Sequence, residues 1–361
     1  MVIPVEMALL FAVYTASPIT RTRHGSPGQQ TSLHPDRDGH VESYFLRANH
    51  PTRRQAIWLK TTVFAPRPGS AIAECWCIVF DAEHQRYWSE KRTVPFDHAR
   101  FQGDPLTITL ADTTFCLAPD GHTRGELPGD GGPARWDLHW QPHPGPIADR
   151  LSLLPLDSMV DGSFPRSTPL TPLPSIAVSG TLEVFGETLH LDRWHGMQGH
   201  NWGDEHAWEY AWGHCPFVDD SGEPFCWVEG FTARTRIARR PTPLISALVV
   251  RRHDREYRFD RLLDLWRQDA TIDLDRTTWS LTIGGPAGRA ALTMVADPDE
   301  MVCLGYHNPD GRLSYCLNSK LARTTLKVNP VNEAAFECVS PHGGALEFLT
   351  NTPDLRFSRV V

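Results

Sequence analysis

Short runs that alternate between apolar and polar residues recur along most of the chain and predict β-strands. Two clear examples are the runs 71–80 and 175–185. In the first run, alternation places Glu74 and Trp76 on one face and Cys75 on the other. Many such runs follow one another between turn residues. The pattern therefore favours a chain built almost entirely of strands.

About sixteen strands are predicted in this way, which is too many for one small barrel of about eight strands. We therefore predict an all-β protein with two β-barrel or sandwich domains in tandem. Only Arg261–Gln268 has a marginally helical pattern. Residues 1–39 are predicted to be a flexible leader. Prolines crowd the segment 141–174, which predicts an irregular connection that wraps outside regular sheet.

The net charge, the N-terminal apolar run and the cysteines argue against a nucleic-acid-binding, membrane-spanning or disulfide-rich protein. The net charge is −8, from 35 Lys and Arg against 43 Asp and Glu, and no basic stripe could follow a nucleic-acid backbone. The apolar run Met7–Val13 has no basic residue before it and is too short to span a bilayer. Eight scattered cysteines without a C-x-x-C motif predict free thiols in a reducing compartment. We expect a cytoplasmic protein.

The segment from His195 to Cys215 concentrates the chemistry, with four histidines and three tryptophans. The histidine spacing matches no zinc motif, so we expect no metal and no cofactor. No G-x-S-x-G elbow is present for a serine nucleophile. Acid–base catalysis in an aromatic pocket fits the composition best, because a carboxyl or imidazole kept dry has a shifted pKa.

The motif His200-Asn-Trp-Gly203 and the later Trp227-Val-Glu229 resemble the lipocalin-like superfamily of carotenoid hydratases (hydroxyneurosporene synthases) and AttH-like proteins. Tocopherol cyclases and lipocalin-like Diels–Alderases are more distant relatives in this resemblance, which extends over roughly residues 40–350. The segments 42–46 and 56–59 are also similar to the first strands of that family. The resemblance implies two calycin-type domains, 40–205 and 206–361, with a hydrophobic cavity near their junction.

The resemblance also implies site residues. His200 and Trp202 match the His and Trp of the hydratase site, and Trp227 and Glu229 stand where the hydratases have Tyr and Asp. Gly199 replaces an Asp that usually precedes the motif, which puts carotenoid hydration itself in doubt. We predict that His200 and Glu229 face one cavity as an acid–base pair. The further substrate-binding candidates are Trp202, Trp227, Asn201, Trp76, Glu74 and Trp58.

Two functions follow as alternatives. The first is a cofactor-independent enzyme that acts on an isoprenoid- or polyketide-like substrate by acid-assisted cyclisation, by hydration or by a pericyclic step. The second is a carrier that binds a hydrophobic ligand without catalysis. An enzyme needs an acid within hydrogen-bond reach of His200, whereas a carrier needs only apolar walls. In both cases the partner is a hydrophobic small molecule, with at most a loose membrane association through it.

Overall fold

A computed structural model describes residues 39–103, 105–160, 166–234, 236–237, 240–261, 268–354 and 356–357. Two large antiparallel sheets dominate it, together with one small two-stranded sheet and short 3₁₀ turns. The prediction of an all-β fold with two β-barrel or sandwich units in tandem is confirmed. The predicted leader, 1–39, lies outside the described residues except for its last position. The same holds for most of the predicted helical stretch Arg261–Gln268.

The first sheet contains eleven strands, which are β1 (His40–Asn49), β2 (Gln55–Ala65), β3 (Ile72–Asp81), β4 (Arg86–Pro95), β5 (Ala99–Gln102), β6 (Thr107–Leu110), β7 (Thr113–Cys116), β8 (His122–Leu127), β9 (Ala134–Pro142), β10 (Ser167–Val184) and β11 (Glu187–Gly203). Their order is β4-β3-β2-β1-β11-β10-β9-β8-β7-β6-β5. Because β3 also contacts β6, and β4 contacts β8, the sheet curls into a nearly closed barrel.

The second sheet contains ten strands, which are β12 (Glu209–Val218), β13 (Pro224–Arg234), β16 (Ile245–Arg252), β17 (Arg255–Phe259), β18 (Gln268–Asp273), β19 (Thr278–Gly285), β20 (Gly288–Val295), β21 (Val302–His307), β22 (Leu313–Pro330) and β23 (Phe336–Thr350). Strands β14 (Arg236–Ile237) and β15 (Arg240–Pro241) form the small pair. The 3₁₀ turns are Ala82–His84, Phe96–His98, Pro146–Ala148, Asp157–Met159 and Pro298–Glu300. The chain passes from the first sheet to the second between Gly203 and Glu209.

Strand β1 is buried on both of its faces, which fixes how the two sheets meet. Tyr44 and Leu46 point into the core of the first barrel, whereas Phe45 belongs to a separate core between the sheets. Arg47 points the same way as Phe45, and its guanidinium donates to Asn49 Oδ1 at 2.5 Å and to the Gly343 carbonyl at 3.0 Å. One strand thus serves two cores, because successive side chains alternate across it.

The proline-rich segment differs from the prediction. The connection after β9 is irregular, but β10 already begins at Ser167 and includes three prolines. The pairing of β10 with β11 shifts register between Leu170 and Leu173 and again between Leu173 and Ile176. Proline lacks an N–H group, and such bulges interrupt the hydrogen-bond ladder where that group would be needed. The prolines are therefore accommodated within the sheet and do not exclude it.

Two further features follow from the described residues. No helix among them is long and apolar enough to cross a membrane. All eight cysteines lie in the described part and are free thiols, and seven of them are buried.

Candidate functional site

Strands β1 and β11 are neighbours in the first barrel, and their register brings the HNWG motif alongside the first residues of β1. Tyr44 pairs with His200, and Glu42 pairs with Trp202. Since these positions alternate with residues that face the second sheet, their side chains point into the barrel. The barrel interior therefore brings Glu42 and Tyr44 of β1 together with His200 and Trp202 of β11, more than 150 residues later in the sequence.

Glu42 is the centre of a buried hydrogen-bond network, which we call the Glu42 cluster (His40, Glu42, Tyr44 and His200). Glu42 Oε1 lies 2.8 Å from His200 Nε2 and accepts a hydrogen bond from the Tyr44 hydroxyl at 2.6 Å. Glu42 Oε2 lies 3.1 Å from His40 Nε2. All four side chains are almost completely buried. The carboxyl is thus surrounded by hydrogen-bond donors.

These contacts decide the charge of Glu42. Burial alone would raise its pKa, but the hydrogen bonds from His200, His40 and Tyr44 outweigh burial and hold the pKa of Glu42 well below its ordinary value. Glu42 is therefore an ionised carboxylate at neutral pH. Its contact with Nε2 fixes the orientation of the imidazole.

The His200 ring lies between aromatic surfaces. It stacks on Tyr44 with a centroid distance of 4.2 Å and lies 4.5 Å from the Trp202 ring. Its Nδ1 atom is buried and has no hydrogen-bond partner among the described residues. Since Nε2 is engaged by Glu42, Nδ1 is the ring nitrogen left without a partner among the described residues.

A second cluster lies between the two sheets, and we call it the aromatic interface (Phe45, Trp58, Trp76, Trp212 and Tyr306). Phe45 lies 6.1 Å from Trp212 and 6.4 Å from Trp58, and Trp76 lies 6.3 Å from Tyr306. Each of these pairs has an edge-to-face geometry, which aromatic rings favour. The predicted wall residues Trp58 and Trp76 are therefore packed against the second sheet.

Buried lysines lie among these rings. Lys60 Nζ lies 4.1 Å from the Tyr306 centroid and 5.3 Å from that of Trp58. Burial lowers the pKa of Lys60 to about 8. Lys320 Nζ donates to Glu347 Oε1 at 2.7 Å and lies 4.5 Å from the Trp58 centroid. Ring faces and one ion pair thus hold two ammonium groups at the contact between the sheets.

Glu229 occupies a different environment from Glu42. Its Oε1 accepts hydrogen bonds from Thr171 Oγ1 at 2.8 Å and from Trp212 Nε1 at 3.2 Å. Its Oε2 is buried without a partner among the described residues. Burial raises the pKa of Glu229 to about 7, although Thr171 and Trp212 oppose this. The group is therefore partly protonated at neutral pH.

The structure does not bring Glu229 and His200 into contact, and the predicted pair is wrong in this respect. His200 faces Leu170 across the β10–β11 ladder inside the barrel. Thr171, the next residue, holds Glu229 from the opposite side of the same wall. Alternation along β10 thus separates the two groups. The acid beside His200 is Glu42.

Gly199 and Gly203 do not leave room for a substrate beside His200. A Cβ atom at Gly199 would overlap the Phe45 ring, and one at Gly203 would overlap the backbone of Arg166. Both glycines therefore allow close packing of the protein itself.

The remaining predicted site residues lie in three other environments. Trp227 is buried and donates from Nε1 to the Ile147 carbonyl at 2.6 Å, so it fills a core and is not an open wall. Glu74 accepts from Thr62 at 3.0 Å and pairs with Lys91 at 3.1 Å. Asn201 and Trp202 are half-buried at the end of β11.

Sequence reasoning missed Glu42, Tyr44 and His40 as members of a site. A signal was available, because Glu42 is an acid on the same face of its strand as Tyr44 and Leu46. Its partner could not be identified without the β1–β11 register. Among the described residues, no group of three or more His, Cys, Asp or Glu side chains is placed to hold a metal ion.

Two proteins of known sequence are similar to this chain over most of its length. No protein-family model matches it. The uncharacterized proteins Rv0493c and MT0513, from two strains of Mycobacterium tuberculosis, are each 27% identical to it over 292 residues, which is 79% of this chain and 80% of the relative.

Solved structures share its fold at low sequence identity. The crystal structure of an AttH-type protein from Nitrosomonas europaea matches with a TM-score of 0.54 at 12% identity, over 90% of this chain and 98% of that one. Kievitone hydratase from Nectria haematococca matches with a TM-score of 0.53 at 12% identity, over 87% and 90% of the two chains. The chain therefore has the two-unit β fold of these proteins, as the resemblance of its motifs implied.

Proposed function

We propose that this chain is a cofactor-independent enzyme that transfers a proton to a hydrophobic, isoprenoid- or polyketide-like substrate and so hydrates or cyclises it. The observation that carries the proposal is the 2.8 Å contact between His200 Nε2 and the ionised Glu42 inside the first barrel. An acid within reach of His200 is the feature that distinguishes an enzyme from a carrier. The fold shared with a hydratase agrees with this reading.

In the proposed reaction, His200 in its imidazolium form donates the Nδ1 proton to a carbon–carbon double bond. The carbocation that forms is then captured by water, which loses a proton to the imidazole, or by a second double bond of the same molecule in a ring closure that ends with loss of a proton. Either sequence returns the proton to the histidine. Glu42 holds the imidazole in its orientation throughout.

Trp202 gives this site an aromatic wall. Its ring lies 4.5 Å from the imidazole, so a substrate carbon protonated there would develop positive charge close to an electron-rich face. The apolar barrel core excludes bulk water and strengthens this electrostatic effect. Glu229, Trp227, Trp76, Glu74, Trp58 and Asn201 lie outside this site. In this proposal, Glu229 and the tryptophans of the aromatic interface hold the two sheets together.

The test is turnover in heavy water. The full chain is incubated in D₂O with a panel of linear isoprenoids and polyketides, and products are sought by mass spectrometry. Proton-led hydration or cyclisation leaves one deuterium on carbon. His200→Gln should lower the rate by about 10²-fold or more, because general acid catalysis is lost. Glu42→Gln should act in the same direction.

The matched control is His190→Gln, since His190 is an exposed histidine on the same strand. It should keep the wild-type rate. A product without deuterium that still forms in His200→Gln would refute proton transfer by His200. Saturable binding of panel members without any turnover would favour the carrier function.

A further inference from the structure

A half-open cavity of about 350 Å³ lies beside the irregular connection that follows β9. We call it the barrel cavity. Its lining includes Leu117 and Leu173, which also belong to the inner core of the first barrel. The volume lies in the range of small-molecule sites in proteins, about 300–1,000 Å³.

Two polar side chains line this cavity without satisfying their hydrogen bonds. Gln198 is 2% exposed, and its Nε2 has no acceptor among the described residues. His143 is 5% exposed; its Nδ1 lies 3.1 Å from Ser175 Oγ, and its Nε2 has no partner among the described residues. A buried donor left unpaired is costly, so such atoms mark a place where a bound molecule supplies the missing partner.

The remaining lining defines the character of that molecule. Pro119, Leu117 and Leu173 give apolar walls. Burial lowers the pKa of His143, so the ring is neutral at neutral pH. The charged lining residues, Asp149 and Arg150, are adjacent and of opposite sign. The polar groups buried in the cavity are thus uncharged.

We propose that the barrel cavity binds an apolar molecule through one uncharged oxygen, a ketone or a hydroxyl, which accepts a hydrogen bond from Gln198 and contacts His143. A ligand that carried a carboxylate would lose its hydration in the cavity, and no positively charged side chain next to Gln198 would compensate for this loss. Such a ligand fits both the apolar walls and the two unpaired groups.

The position of the cavity relates it to the proposed active site. Gln198 pairs with Leu46, and His200 pairs with Tyr44, so both point into the barrel from β11 two residues apart. A molecule held at Gln198 would thus extend along the strand towards His200. This step rests on the proposed function, whereas binding in the cavity does not.

Binding is tested with prodan, a naphthalene dye that carries a ketone and changes its emission in an apolar site. The full chain should bind it saturably, and the same ring system without the ketone should bind more weakly. Gln198→Leu should raise the Kd for prodan about fivefold, because one hydrogen bond of ordinary strength is lost. Ala148→Phe should block binding by filling the lining of the cavity.

Gln141→Leu is the matched control, since Gln141 is exposed on β9. It should leave the Kd unchanged, and melting curves establish that each variant is folded. A Kd that is equal in Gln198→Leu and wild type would overturn the proposal, as would binding that survives Ala148→Phe.

Prodan binding and turnover, both measured on the wild-type chain, separate this inference from the proposed function. Prodan should bind as described whether or not the chain proves to be an enzyme. If prodan binding fails while His200-dependent turnover is found, only the present inference is wrong. If prodan binds as described and no turnover is found, only the proposed function is wrong.

Discussion

Replacing Glu229 by glutamine is expected to change how the stability of the protein depends on pH. The carboxyl is buried, and its pKa is raised from 4.5 to about 7 because burial disfavours the anion. Glutamine has almost the same shape and keeps an oxygen for Thr171 Oγ1 and Trp212 Nε1. The substitution therefore removes a titrating group and leaves most of its contacts in place.

The magnitude follows from the two pKa values. Between pH 4.5 and about 7 the unfolded chain has lost the Glu229 proton while the folded chain keeps it. The free energy of unfolding therefore falls as the pH rises, by about 1.4 kcal/mol per pH unit at most. The stabilisation is fully present below pH 4.5. At pH values above the pKa of Glu229 in the folded state, the wild-type protein has lost about 3 kcal/mol of its free energy of unfolding. The glutamine variant does not show this loss.

Urea denaturation followed by tryptophan fluorescence measures this effect. Wild type and Glu229→Gln are unfolded at a series of pH values from about 4.5 to about 8, and their free energies of unfolding are subtracted. The variant should gain about 3 kcal/mol relative to wild type across this range. Glu337→Gln, at an exposed glutamate on β23, gives the background. A difference that stays constant with pH would refute the assignment of a raised pKa to Glu229.

Three further predictions concern other parts of the chain. Glu42→Gln should destabilise the protein by about 3 kcal/mol at pH 7, because it places an amide against three hydrogen-bond donors. Urea denaturation measures this loss, and a loss below about 1 kcal/mol would contradict the hydrogen-bond network around Glu42. Gly199→Ala should lower the melting temperature through its clash with the Phe45 ring, whereas Gly131→Ala, which meets no atom closer than 4.0 Å, should not. Thiol titration of the native protein should detect Cys116 first, since it is half-buried, and all eight cysteines after denaturation; several thiols that stay unreactive after denaturation would contradict this.

The fold was largely predictable, because alternation is a local signal. The two faces assigned to β3 agree with the structure: Trp76 packs between the sheets, and Cys75 points into the barrel. Strand β4 was not predicted, since charged residues such as Lys91 and Arg92 occur along it. It lies at an edge of the first sheet, where charged side chains remain solvated and deter pairing with other chains.

The candidate site was only half predictable. The resemblance of the HNWG motif indicated His200 and Trp202, and the structure shows that Glu229 is buried in its apolar strand. The pairing of His200 with Glu229 failed because alternation tells which residues share a face of one strand and not which strands share a barrel. Glu42 and His200 meet only because β1 and β11 are neighbours.

The sequence by itself determined the period of the strands, the absence of a long helix among the predicted elements, and the identity of the residues able to move protons. These properties depend on neighbours along the chain. The tertiary structure alone decided which acid meets His200, which aromatic rings pack between the sheets and where a cavity remains. Those outcomes depend on strand register and on contacts between residues far apart in sequence, such as Glu42 and His200. A shift of one residue in that register would turn every inward side chain of β1 towards the second sheet, and the site would be lost.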